Sequence, residues 1–181
     1  MRKIFRDIKE CKKCSLCKKR NLPTIYCGNL KSKILFIGEA PGKNEDETGI
    51  PFCGRAGKIL EELLSSINLK REDVYITNIV KCRPPKNRDP KEIEIKKCVG
   101  FLEKEIALIK PKIICPLGRF SSKYILKKYF EKNFEIGEVH GKVFKKDGVI
   151  IIPMYHPAAT IYDNKKKIIL KKDFKKIINN L

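Results

Sequence analysis

A chain of 181 residues suits one domain with one buried core, and no apolar run approaches the roughly 18–20 residues that span a bilayer. Lys and Arg number 41 against 21 Asp and Glu, and the net charge of +20 favours a polyanionic partner, nucleic acid ahead of an anionic membrane surface. The charged opening from Met1 to Glu10 does not read as a secretory signal, and eight cysteines then suggest metal or catalytic use in a reducing, cytoplasmic interior rather than a disulfide framework. The plain alternative for the charge is a lysine-rich surface, and the absence of Gln and Trp fits life at high temperature or an AT-rich genome.

In chain order, an amphipathic helix is expected near Ile4 to Lys9, followed by a basic, cysteine-rich segment from Cys11 to Arg20. The apolar run KILFI, Lys33 to Ile37, reads as a buried strand that stops at Gly38. A polar loop from Glu39 to Gly54 precedes a helix from Arg55 to Ile67, whose apolar residues Ile59, Leu60, Leu63, Leu64 and Ile67 keep helical spacing. Val74 to Val80 reads as a second strand, RPPKNRDP as a loop, and a helix is expected from Pro90 to about Ile109. A third strand at Lys112 to Pro116 leads to a helix at Phe120 to Tyr129. Strands at Val143 to Phe144 and Val149 to Met154 follow, then a basic closing helix from Lys165 to Ile178. Alternating strands and helices imply an α/β fold, a three-layer sandwich whose mostly parallel sheet is covered on both faces. With no repeat or linker, residues 1–181 read as a single domain. Such sheets bind ligands at the carboxyl ends of their strands, where loops 38–54, 77–87 and 155–159 should meet.

Cys11 and Cys14 form a C-x2-C pair, with Cys82 and Cys98 downstream, a set that suits tetrahedral zinc or an iron–sulfur cubane. Cys17 extends the pair to C-x2-C-x2-C, but the ferredoxin continuation is missing. Cys27, Cys53 and Cys115 lack chelate spacing and are expected to be small buried apolar groups.

GEAPG after the first strand is, by itself, a tight turn whose amides could face an anion or a base edge. Gly42-Lys43 is followed by Asn44, which counts against a Walker loop. The longer strings say more: GEAPGKNEDETGIPFCGRAG from Gly38 to Gly57, YITNIVKCRPPKNR from Tyr75 to Arg88, and PMYHPAA from Pro153 to Ala159. They closely resemble the signature regions of the iron–sulfur, family-four uracil-DNA glycosylases of thermophiles and many bacteria, and the resemblance covers nearly the whole chain.

That resemblance implies a monofunctional glycosylase that hydrolyses the N-glycosidic bond of deoxyuridine in DNA and leaves an abasic site. It implies a [4Fe–4S] cluster on Cys11, Cys14, Cys82 and Cys98, with Cys17 a bystander, and a uracil pocket at Glu39, Ala40, Phe52, Asn78 and His156. The partner would be uracil-containing DNA, single- or double-stranded, with no membrane; the enzyme would be a monomer, with a polymerase sliding clamp as a further candidate partner. Chemistry gives each residue a task once the base has left the stack. Phe52 offers an aromatic face, and Asn78 can pair with O4 and N3–H of uracil. His156 can donate to O2 as charge develops there, and Glu39 can position or deprotonate water or stabilise a cationic sugar. Taken singly, Phe52 is equally a core aromatic, Asn78 a strand-end turn residue, His156 a His-Pro loop element and Glu39 a loop-ordering carboxylate.

The segment after HPAA reads Thr160, Ile161, Tyr162, Asp163 where many relatives have leucine and arginine, so Ile161 or Tyr162 would be the wedge and Asp163 would repel phosphate. His140 stands where relatives carry a base and could contact phosphate or cap a turn; the basic tail could touch DNA or be a solvated face. A DNA-binding iron–sulfur protein with a degenerate pocket, an electron-transfer protein and a nucleotide-phosphate enzyme are the competing readings.

Overall fold

The computed structural model describes residues 1–181. Its strands are β1 (Cys27–Gly28), β2 (Ile34–Gly38), β3 (Tyr75–Asn78), β4 (Ile113–Pro116), β5 (Phe144–Lys146) and β6 (Val149–Ile151), paired in the order β1-β3-β2-β4-β6-β5. The four inner strands run parallel, while β1 and β5 close the edges antiparallel. Every residue of β2, β3 and β4 is buried, as expected for strands covered on both sides.

The helices are α1 (Arg2–Lys9), α2 (Lys43–Thr48), α3 (Arg55–Ser65), α4 (Glu92–Ile109), α5 (Arg119–Phe130), α6 (Ile136–Val139) and α7 (Asn164–Ile178). Alternation along each strand sorts the core into two sides. Ile34, Phe36, Ile76, Ile113 and Cys115 pack with Leu60, Leu63 and Leu64 of α3 and with Leu170, Phe174 and Ile177 of α7. Leu35, Ile37, Tyr75, Ile114 and Ile151 pack with Leu102 and Ile109 of α4 and with Ile125 and Leu126 of α5. α1 lies outside this second layer, with Ile4 and Ile8 against Cys98 and Phe101 of α4. The expected three-layer sandwich is therefore the observed one.

Several boundaries differ from the sequence reading, each for a local reason. The loop expected over 39–54 contains α2, stopped by Gly49 at φ 73°. α4 begins at Glu92 rather than Pro90, because the Glu94 carboxylate accepts the Lys91 N–H at 2.8 Å and caps the helix there. The strand expected to reach Met154 ends at Ile151, with Met154 bridging only to Leu117. The short β1 and α6 carry no legible periodicity. Of the three cysteines expected to be buried, Cys115 is, whereas Cys27 and Cys53 are half-buried: Cys27 accepts from Arg71 at 3.4 Å and Cys53 lies 3.2 Å from the Thr48 hydroxyl.

A polar network sits between β3 and α4. The side chains of Lys81 and Glu105 are 1% and 0% exposed, with Nζ 2.7 Å from Oε2. Lys81 also donates to Thr77, and the Tyr75 hydroxyl donates to Glu105 at 3.2 Å. The Lys81 backbone N–H donates to Cys98 Sγ at 3.3 Å, so the network reaches from β3 and the loop after it to the cysteine of α4. Removing one partner strands a buried charge, at about 3–5 kcal/mol, whereas replacing both with apolar groups is close to neutral. Chemical denaturation should accordingly show Glu105→Ala destabilised by about that amount, with most of the loss recovered in the double variant Lys81→Met/Glu105→Leu. An unchanged midpoint for Glu105→Ala would show the pair to be energetically idle.

Candidate active site

The parallel strands end at one edge, and the backbone beyond them stays paired: Ile79 and Val80 donate to the carbonyls of Gly38 and Glu39 at 3.0 Å each, and Gly118 donates to Met154 at 2.8 Å. A cavity of about 340 Å³ opens there, lined among others by Glu39, Ala40, Phe52, Asn78 and His156. All five residues singled out in the sequence face one space, drawn from three separate loops.

Close approach is what brings them together. Asn78 pairs in register with Gly38 across β2 and β3. A Cβ on Gly38 would lie 2.3 Å from Asn78 Oδ1 and 2.6 Å from the Phe52 ring, so only glycine allows this contact. The Phe52 and His156 rings lie 5.5 Å apart at 25°. Phe52 holds a left-handed backbone, φ 56°, which costs a bulky residue on the order of 1–3 kcal/mol. Arg71 fixes it there: the guanidinium donates to the carbonyls of Phe52 and Pro51, the latter at 3.1 Å, and is itself held by Glu61 at 2.9 Å. Glu45 of α2 closes the same turn by accepting the Gly54 N–H at 3.1 Å.

The two titratable groups at the centre are driven in opposite directions. Burial, with the Asp89 carboxylate adding to it and Arg119 opposing, lifts the Glu39 carboxyl to about 7. Desolvation pushes the His156 imidazole down to about 4. His156 Nδ1 accepts the Ala158 N–H at 3.2 Å, so the proton of the neutral ring sits on Nε2. The site thus holds a neutral imidazole donor beside a carboxyl that ionises near neutrality.

The loop after β3 supplies lining residues that motif reading did not single out. Asn87, at φ 54°, borders the cavity and its Oδ1 accepts from Arg83 at 2.7 Å. Arg88 also borders it, clamped in both fork positions by buried Glu94 at 2.9 and 2.7 Å. Both residues stand inside the quoted motif, yet only the folded loop shows that they turn inward. Arg71 carries no signal in the sequence, since it lies in an ordinary turn.

Other residues that the sequence raised as candidates fall away from the cavity. His140 pairs with Asp173 at 2.9 Å and stacks on Tyr155, which makes it a packing element. Asp163 caps α7 by accepting the Lys166 N–H at 3.0 Å and pairs with the Lys166 ammonium. Tyr162 is 90% exposed, with the Arg55 guanidinium 5.9 Å from its ring centre. The closing helix buries Leu170, Phe174 and Ile177, leaving its lysines outward.

A second concavity is lined by Cys11, Cys14, Cys17, Cys82 and Cys98. Soft thiolates suit zinc or an iron–sulfur centre. Two donors already point at sulfur: Arg20 Nη1 at 2.9 Å from Cys82 Sγ, and the Lys81 N–H at Cys98. No three His, Cys, Asp or Glu side chains converge tightly enough to hold a single metal ion. Thiols that line one hollow, two of them with N–H donors to sulfur, fit a thiolate-held metal centre.

A family model described as Uracil DNA glycosylase superfamily matches residues 25–181. The chain is 47% identical to the Type-4 uracil-DNA glycosylase of Sulfurisphaera tokodaii, over 98% of this chain and 83% of that one. It is 47% identical to the Type-4 uracil-DNA glycosylase of Saccharolobus solfataricus over 96% and 83%, and 45% identical to that of Archaeoglobus fulgidus over 96% and 89%.

The desolvated imidazole offers a direct check. In an NMR titration, with His156→Gln used for assignment, the His156 ring should protonate near 4, and a midpoint close to the ordinary 6.5 would contradict the desolvated neutral ring. Because the unfolded chain takes up this proton first, His156 should also lower stability as pH falls from 6.5 towards 4.

Proposed function

The chain belongs to the uracil-DNA glycosylase superfamily, and from that membership we propose how its cavity excises uracil from DNA. The enzyme is an N-glycosylase of base excision repair: it hydrolyses the bond between uracil and deoxyribose C1′. The observation that carries the residue assignment is the convergence of Glu39, Phe52, Asn78 and His156 on one cavity of base-binding size.

In this reading an extruded base lies against the Phe52 ring while the Asn78 amide meets O4 and N3–H, a pattern that cytosine reverses. As the glycosidic bond lengthens, negative charge gathers on O2, and His156 Nε2–H donates to it. A neutral donor suits this task, since its proton is kept through the reaction and the site stays free of a buried cation. Glu39 faces the other product of bond breaking: ionised, it orients or deprotonates the water that adds to C1′ and offsets the developing positive charge of the sugar. Ala40 contributes backbone and a small side chain beside the base. Asn87 and Arg88 border the same space.

Cys11, Cys14, Cys82 and Cys98 are the proposed ligands of a [4Fe–4S] cluster, supported by their shared hollow and the N–H donors to sulfur. A cluster held there supplies a four-point crosslink between the opening segment, the loop after β3 and α4. That crosslink supports reading residues 1–181 as one domain, since two of the thiols precede the matched region. An intracellular monomer acting on single- or double-stranded DNA belongs to the same reading, with a polymerase sliding clamp as its candidate protein partner. No helix is long and apolar enough to cross a membrane. Tyr162, exposed beside Arg55, is the candidate to fill the gap left by the extruded base.

Base release from duplexes containing U:G, U:A or T:G tests this assignment. His156→Ala should lower kcat by about 10²–10³, and Asn78→Ala should lower uracil release and narrow the margin over cytosine. Full activity in both variants would remove them from the pocket. The acidic limb of the rate profile should rise through about 7 as Glu39 ionises, and Asp89→Asn, which removes a neighbouring negative charge, should move it to lower pH. A limb that stays in place in Asp89→Asn would detach it from Glu39.

A further inference from the structure

One arginine in the opening segment has no role in the pocket, yet it bonds directly to a sulfur of the thiol centre. Arg20 Nη1 donates to Cys82 Sγ at 2.9 Å, and its Nη2 donates to the Lys9 carbonyl at the end of α1, at 2.7 Å. Arg20 is half-buried, whereas Lys13 and Lys97, which line the same hollow, and Lys9, Lys12 and Lys18, which line the groove beside it, are all exposed. Exposed ammonium groups are hydrated and screened over about a Debye length, near 8 Å at physiological salt. A guanidinium in direct contact with sulfur is not.

We propose that Arg20 is the charge-compensating anchor of the cluster: through its bond to the Cys82 thiolate it raises the cluster's reduction potential. The proposal rests on the cluster reading above. Four thiolates make the assembly anionic in each oxidation state, and reduction adds one more negative charge. A fixed positive charge bonded to a ligand sulfur therefore stabilises the reduced state more than the oxidised one. Hydrogen bonds to the sulfurs, net charge and solvent exposure are the levers by which proteins set such potentials, and Arg20 supplies the first two together. The second prong, on Lys9, holds the guanidinium in place and ties the end of α1 to the loop after β3.

The test is an electrode-driven one-electron titration of the intact protein, with iron and acid-labile sulfide measured alongside. Arg20→Gln keeps an N–H donor but loses the charge, and its potential should fall below wild type at unchanged iron content. Arg20→Lys keeps the charge but not the two-pronged geometry, and should lie between the two. Lys97→Gln removes an exposed charge from the same hollow and should leave the potential near wild type. A wild-type potential in Arg20→Gln, or an equal fall in Lys97→Gln, would overturn the proposal. Where Arg20→Gln takes up no iron, Arg20→Lys decides in its place: a value below wild type supports the anchor, and an unchanged value overturns it. Wild-type protein without iron and sulfide would instead sink the cluster itself, and the anchor with it.

Discussion

The pocket depends on a missing side chain. Gly38 ends β2 where the Asn78 amide and the Phe52 ring come closer than any Cβ would tolerate. Sheet register sets Asn78 opposite Gly38, and the turn that follows carries Glu39 and Ala40 into the same space. Gly57 makes a second such approach, because the Phe52 carbonyl lies 1.7 Å from where its Cβ would be. Two bare backbone positions thus set how closely the Phe52 turn packs on the ends of β2 and β3 and on the start of α3.

What gathers there is held under strain and out of water. Phe52 keeps a backbone that its size disfavours, and Arg71 with Glu45 hold the turn around it. The same exclusion of water acts on both central titratable groups, lifting a carboxyl and depressing an imidazole. Each shift favours the neutral form, at the expense of a carboxylate in one case and of an imidazolium in the other. Such divergence is how a fold obtains two distinct roles from ordinary side chains. Asp89 and Arg119 modulate it from a loop and a helix start that no motif linked to Glu39.

The thiol centre and the pocket share one segment of chain. Asn78 and Cys82 are separated by three residues, and Lys81 between them is buried against Glu105 of α4, the helix that also carries Cys98. Order in the loop that brings Asn87 and Arg88 to the cavity is therefore tied to the packing of that helix. On the cluster reading, metal and network both fasten the same stretch, one through sulfur and the other through a buried ion pair.

The layers of the fold were already written in the order of residues. Apolar runs such as ILFI and IICP announce buried strands, and helical spacing from Ile59 to Ile67 announces α3. These features are legible because they are local: period and spacing are carried by consecutive residues. The five residues that line one cavity come instead from the resemblance of the motif strings to a family, since singly each reads as a core, turn or loop residue. Folding settled what depends on distance. It turned Asn87 and Arg88 inward, gave Arg71 its hold on Phe52, and joined Lys81 to Glu105. It also engaged His140 with Asp173. Each of those is a contact between groups far apart in the chain or a choice between solvent and interior, and no local pattern encodes either.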